Sequence, residues 1–371
     1  MTDQSAVCSS LPRSLDEIPQ CVVTHLHNFF SSRHPAMHKI SPVAEEALTV
    51  LTNFTMTGGK RIRPTFAWLG WVGAKQLTFE ESVVHPDAHA VMHAVSSLEL
   101  LQSCALIHDD IIDSSATRRG MPTVHEQFKL LHSAQAWHGH GESYGHSVAI
   151  LIGDLALSWA DDMFVEAGLS ADQRDRAWLP WREMRTEVVC GQIMDVTAEA
   201  QADGSLLTAD RVNRYKTAAY TVERPLHIGA ALAGASEKTV TALRTFGRDL
   251  GVAFQLRDDE LGVFGDPEVT GKPSGDDLRE GKRTTLLALA LENTSESDRA
   301  ELESGLGRPL TEVEVDRLRG IIRKSGAYEQ VQARIDDLVS SAVGSLAHAD
   351  LSEDAKRALT TMAKTSTERR R

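Results

Sequence analysis

Two short runs of carboxylates hold the residues best suited to chemistry. The first, in LIHDDIIDSSATRRG (106–120), contains Asp109, Asp110 and Asp113 and is followed by Arg118 and Arg119. At helical pitch Asp109 and Asp113 are an i,i+4 pair and share one face. The second, in FQLRDDELGVFGD (254–266), contains Asp258 and Asp259. Carboxylates crowded on one face repel one another, and a hard divalent cation that prefers oxygen, Mg²⁺ foremost, offsets that repulsion. A solvated acidic helix end is the blander reading of either run alone. Both runs close apolar stretches, and two such ends facing each other across a cavity would hold Mg²⁺ for gripping a polyphosphate.

The basic residues fall where such a ligand would need them. Lys60 and Arg63 follow the Gly58-Gly59 turn, Arg118 and Arg119 follow the first acids, and Lys272 and Lys282 flank the Gly-rich loop after the second. Arginine meets phosphate oxygens through a planar fork, lysine as a point charge. With a net charge of −13, the chain needs such local cations, together with metal, to bind an anion. The same charge argues against nucleic acid as a partner, since phosphate contact on that scale requires a basic surface.

The elements that position these groups read as helices. Residues 1–20 are polar and expected to be poorly ordered, with a short helix around Val22–Phe30 after them. Ser41-Pro42 opens a helix that Gly58-Gly59 stops, and a long apolar helix runs over 87–113 into the first acids. Segment 132–146, rich in Gly and His, reads as a loop, and His132, His138, His140 and His146 as loop histidines without metal-ligand spacing. Helices follow over 149–165, over 181–200 after the capping box Ser170-x-x-Gln173, from Thr208 past Tyr215, and over 239–262. Loop 263–281 carries the glycines and prolines, and a capping box at Thr311-x-x-Glu314 opens a later helix. Of the remaining acidic pairs, Asp161-Asp162 reads as a solvated helix face. Asp276-Asp277 could touch metal-bound water, though no site role is assigned to it.

No alternating strand pattern is present, so the fold class is all-α. No linker divides the chain, and residues 21–371 read as a single large helical domain. Cys8, Cys21, Cys104 and Cys190 lack paired spacing, no signal peptide is evident, and no apolar run reads as long enough to span a membrane. A cytoplasmic protein is expected.

Six segments in order, GGKRIRP (58–64), LIHDDIIDSSATRRGMPTVH (106–125), GQIMD (191–195), YKTAAY (215–220), FQLRDDELGVFGD (254–266) and GKPSGDDLREGKRT (271–284), resemble the trans-isoprenyl diphosphate synthases. The resemblance implies a helical bundle around a deep apolar cavity, a homodimer, and Mg²⁺-dependent condensation of isopentenyl diphosphate with an allylic diphosphate. It implies Asp109, Asp113 and Asp258 as metal ligands, with Asp110 and Asp259 behind them. Arg118, Lys216, Lys272 and Lys282 would hold the allylic diphosphate, and Thr217 and Gln255 would support it. Lys60, Arg63 and Arg119 would bind isopentenyl diphosphate. Two positions depart from the family pattern: Gln102 stands where many relatives have a histidine for isopentenyl diphosphate, and Gly262 where many have a third acid of the second motif.

In this family the residues four and five before the first acid line the cavity floor. Here they are the small Ala105 and Cys104, with Leu101 one turn further back. That implies a cavity deeper than a farnesyl synthase's and geranylgeranyl diphosphate as the product, a farnesyl or longer polyprenyl product being the alternative. A terpene cyclase would need one aspartate motif and no site for isopentenyl diphosphate. A non-catalytic synthase subunit would be expected to lose carboxylates from one motif, and this chain keeps the core of both.

Overall fold

In the computed structural model, which describes residues 11–265 and 275–367, the helix-start signals act where the sequence puts them. Ser41 accepts a hydrogen bond from Ala44 N at 3.2 Å, and Pro42 opens the helix Pro42–Met56. Ser170 and Gln173 exchange reciprocal bonds ahead of Ala171–Ala200, and Thr311 and Glu314 do so ahead of Glu312–Lys324. One cap moves. Ser205, not Thr208, caps Leu206–Val212, its Oγ accepting from Thr208 N at 3.4 Å.

The fold is all-α apart from one minimal ladder among the described residues, Thr117–Arg118 paired antiparallel with Met121–Pro122. Two residues a side are too few to write an alternating pattern. The turn between them puts Arg119 and Gly120 at φ 53° and 75°.

Other boundaries correct the sequence reading. The apolar stretch over 87–113 is two helices, Ala88–Ser96 and Leu98–Ile112. Ser97 between them turns its hydroxyl back to Ala94 O at 2.5 Å, which competes with the backbone ladder. Taken together, Ala88–Ile112 is long and apolar enough to cross a membrane, contrary to the expectation above; 72% of its most apolar window is buried inside the fold, as in a core helix. The loop over 132–146 shrinks to residues 135–140, because Val124–Ala134 and Gly141–Val165 take the rest. Gly145 breaks nothing: it lets those helices touch, since a Cβ there would lie 2.3 Å from His125 O. The first long helix, Ile18–Ile40, starts ahead of Val22 and buries Ile18. The helix expected over 181–200 begins at Ala171 and passes through Pro180.

The chain divides into two compact units, one of residues up to Trp68 with Leu77–Arg174, the other of Leu69–Gln76 with the chain from Asp175 on. In the first, Leu98–Ile112 and Val124–Ala134 each pack against Gly141–Val165. In the second, Glu237–Phe264 packs against Asn213–Glu223 and Ala327–Ser345. Its core includes Leu256, Val263, Phe264, Leu278 and Leu318, each burial contributing about 1.5–3 kcal/mol.

Asn213–Glu223 departs furthest from expectation: it is π-helical over 11 residues. Such geometry is rare and concentrates at functional sites. Here Glu223, buried, ties it down by ion pairs to Arg214 within the segment and to Arg244 at 3.0 Å.

Candidate active site

The first acidic motif sits at the C-terminal end of its helix, where the backbone dipole is negative and further negative charge is unfavourable, and the second lies more than a turn before its helix ends at Phe264. In the first unit Asp109 and Asp113 are half-buried and Asp110 is buried. Arg118 answers that charge. Its Nε and Nη2 reach Asp110 Oδ1 at 2.7 and 2.6 Å, and Nη2 lies 3.7 Å from Asp109 Oδ2. The two-residue ladder thus serves to return Arg118 onto the acids.

Arg119 points to the other basic group. Its Nη1 donates to Thr57 O at 2.5 Å, so it lies on the glycine turn that precedes Lys60 and Arg63. Lys60 is exposed and Arg63 half-buried. Partial burial, and then the charge of nearby Arg61, lower the Arg119 pKa from its ordinary value, with Arg118 and Arg63 adding to the effect. Cations gathered in this way are a setting for an anion. Sequence reading missed Arg61, which is buried at φ 50° and pairs with buried Glu99 at 2.6 Å. The usable signal was Glu99 itself, an acid inside an apolar helix that has to find a cation.

On the same helix Gln102 is half-buried, Leu101 and Cys104 are buried, and Ala105 is half-buried. Cys104 is committed to packing, its Sγ 3.7 Å from His108 Nδ1. Burial, and then Asp154, push its thiol up to about 12. The His108 ring occupies the notch left by Gly153, where a Cβ would lie 2.2 Å from its Nε2.

In the second unit Asp258 is exposed and Asp259 is buried, 5% accessible. Gln255 donates to Asp259 Oδ1 at 2.7 Å, whereas Oδ2 is buried with no hydrogen-bond partner among the described residues. Burial first, then Asp277 and Asp258, raise the Asp259 carboxyl to about 8, against the pull of Gln255 and Lys282. Lys282 lies 2.9 Å from Glu280 and 3.5 Å from Asp277. Lys272 lies outside the described residues.

Lys216 and half-buried Thr217 come from the π-helical segment. Lys216 pairs at 2.5 Å with Asp195, the last residue of GQIMD, to which sequence reading gave no role. Gly191 of the same motif makes the approach possible, since a Cβ there would lie 2.3 Å from Lys216 N. Partial burial and then Asp195 raise the Glu199 carboxyl, while Lys216 and Lys282 both pull it down. The two lysines, from separate elements, therefore converge on one region.

Within each unit taken by itself, the carboxylate oxygens of the motif are of the kind that suits a hard divalent cation. No three-ligand set stands ready-made among the described residues. Mg²⁺ is usually held by one or two carboxylates, its own waters and a substrate's phosphates.

Known proteins match this chain along most of its length. A family model for polyprenyl synthetase matches residues 44–323. A geranylfarnesyl diphosphate synthase of Aeropyrum pernix is 35% identical over 280 residues, 75% of this chain and 79% of that one. A geranylgeranyl diphosphate synthase of Mycobacterium tuberculosis is 30% identical over 330 residues, 86% of this chain and 87% of that one. The crystal structure of geranylgeranyl pyrophosphate synthase from Corynebacterium glutamicum, complexed with isoprenyl diphosphate and magnesium, is 45% identical with a TM-score of 0.91, covering 96% of this chain and 100% of that one.

Proposed function

The chain belongs to the polyprenyl synthetase family, and from that premise we propose the roles of its residues and the length of its product. It is a trans-prenyltransferase that joins isopentenyl diphosphate to an allylic diphosphate. The observation that carries the site reading is the repeated helix end, an accessible acid (Asp109, Asp258) backed by a buried one (Asp110, Asp259).

Asp109, Asp113 and Asp258 would hold Mg²⁺, with Asp110 and Asp259 behind them. When bound, the cation neutralises the allylic diphosphate as a leaving group. Arg118, Lys216, Lys272 and Lys282 bind the same diphosphate and stabilise its charge as the allylic C–O bond ionises. Asp195 keeps Lys216 oriented and charged. Thr217 and Gln255 support this group, Gln255 by fixing Asp259. Lys60, Arg63 and Arg119 bind isopentenyl diphosphate, and Gln102 offers it a hydrogen bond in place of a charged ring. The π electrons of isopentenyl diphosphate form the new C–C bond, and a proton leaves to the departed diphosphate. Apolar surroundings keep water from the cation.

The product is geranylgeranyl diphosphate. Support comes from small residues at 104 and 105 and from relatives named for geranylgeranyl and geranylfarnesyl products. Of the two positions Ala105 is the accessible one, so it is the better floor residue. A homodimer fits the exposed apolar stripe of Gly141–Val165, where Ile150, Leu151 and Val165 stand in solvent. Sedimentation of wild type and Leu151→Glu tests the dimer: a monomeric wild type would refute it, and the variant should dissociate.

Incubation with Mg²⁺, isopentenyl diphosphate and farnesyl diphosphate, followed by product sizing, tests the main reading. A C20 diphosphate is expected. Diphosphate released without extension would indicate a cyclase instead, and absence of turnover a regulatory subunit.

A further inference from the structure

Glu223 closes the π-helical segment Asn213–Glu223, and two arginines meet its carboxylate, which is 2% exposed. Arg244, from Glu237–Phe264, brings Nε and Nη2 to Oε1 at 3.1 and 3.0 Å. Arg214, nine residues before Glu223 in the same segment, places Nη1 against Oε2 as an ion pair without hydrogen-bond geometry. Arg224, next in the chain, turns instead to Glu183 and Glu187 at 2.7 and 2.6 Å.

A pair nine residues apart depends on the pitch of the helix. At about 3.6 residues per turn, such residues lie on opposite faces and roughly 13.5 Å apart along the axis, too far for arginine to meet glutamate. At the wider pitch of i→i+5 bonding, roughly 4.4 residues per turn, nine residues make about two turns and the two side chains share a face. The pair is therefore open to the π form and closed to the α form. A rare geometry sustained over 11 residues calls for a contact of this kind.

Pitch also decides where Lys216 points. Its Nζ pairs with Asp195 Oδ2 at 2.5 Å. Gly247 fixes the far end of the segment, since a Cβ there would lie 2.4 Å from Glu223 Cα. Counted back from that end to Lys216, seven residues, the α and π pitches diverge by roughly 130° of rotation. Relaxation to an α-helix would turn Lys216 away from Asp195.

We propose that the Arg214–Glu223 ion pair holds the π pitch of this segment and thereby aims Lys216 at the allylic diphosphate. Both are positioning residues. The inference rests on the reading of Lys216 as a diphosphate ligand. Arg244 anchors the same carboxylate without spanning the segment, which makes it the control.

The experiment is steady-state kinetics of the full chain with Mg²⁺, farnesyl diphosphate and isopentenyl diphosphate, with circular dichroism to check that each variant is folded. Arg214→Met leaves Glu223 paired with Arg244, so no buried acid is stranded. It should lower kcat/KM for farnesyl diphosphate by about 10–100-fold, the scale of a misplaced binding group, and leave KM for isopentenyl diphosphate at its wild-type value. Arg214→Lys, which keeps the charge, should recover most of that loss. Arg244→Met should lose thermal stability with much less change in kcat/KM. In a Lys216→Ala background, Arg214→Met should add no further loss, because it acts through that side chain. If Arg214→Met does not fold, Arg214→Gln takes its place under the same criteria. Wild-type kinetics in Arg214→Met, equal kinetic losses in the two arginine variants, or losses that simply add to that of Lys216→Ala would each overturn the proposal. Wild-type kinetics in Lys216→Ala would overturn the site reading beneath it instead.

Discussion

At the end of Leu98–Ile112 the buried second acid, Asp110, is gripped by Arg118 at 2.6 Å. At the end of Glu237–Phe264 the buried second acid, Asp259, receives a neutral amide from Gln255 and meets a further acid, Asp277. The two ends share a layout, an accessible carboxylate in front of a buried one, and differ in how the charge behind is balanced. The first carries its own cation. The second has a neutral amide in that place and a carboxyl raised to about 8. An ion pair built into the fold organises a site before anything binds, whereas an unbalanced acid waits for a cation from solution. On the proposed roles, the first end is prepared by the fold itself and the second is the end that metal would complete.

The largest effects should come from the accessible acids, which the two ends share. Asp109→Ala and Asp258→Ala should each lower turnover by roughly 10³-fold or more, as expected for loss of transition-state charge stabilisation. Wild-type turnover in either would remove that end from the site. The buried acids should then separate the ends. Arg118→Ala strands Asp110 in the interior and should cost about 3 kcal/mol in metal-free urea unfolding. Gln255→Ala removes only a neutral donor from Asp259 and should cost about 1 kcal/mol. Equal costs would erase the contrast.

Acidity offers a gentler probe. The folded-state pKa of Asp259 lies above the ordinary aspartate value of 3.8, at about 8, so the folded chain keeps a proton that the unfolded chain loses between these values. Metal-free stability therefore falls as pH rises through that window on account of this group. Mg²⁺ should restore the loss more fully as pH rises through that window, because less proton must then be displaced. A melting temperature in chelator equally insensitive to pH in wild type and Asp259→Asn would contradict the assignment. The smallest change in rate should come from Ala105→Phe, which should shorten the product while leaving the first condensation nearly intact; an unchanged product distribution would remove Ala105 from the floor. Cys104→Phe is the poorer test, because Cys104 is already packed on His108.

Much of this was legible in residue types and spacing. The all-α class followed from the lack of any alternating strand pattern, and the capping boxes at Ser170 and Thr311 are local devices that the sequence spells out in full. The acids and most of the cations were legible for the same reason. What escaped depends on neighbours distant in sequence. Arg61 and Glu99, or Lys216 and Asp195, become pairs only when separate helices meet. The π-helical run shifts backbone bonding by one residue without altering the apolar pattern. Gly145 reads as a breaker and acts as a contact.

One comparison tests the difference between the two ends most directly. Asp110→Asn and Asp259→Asn are matched neutralisations of buried acids, to be measured by urea unfolding at pH 8 in chelator. Asp110→Asn should destabilise by about 1–3 kcal/mol, since it breaks the charge pair with Arg118. Asp259→Asn should stabilise, since it removes a buried charge that has no cation of its own. Shifts of the same sign in both variants would show that the ends are balanced alike, and would contradict the division of roles between them.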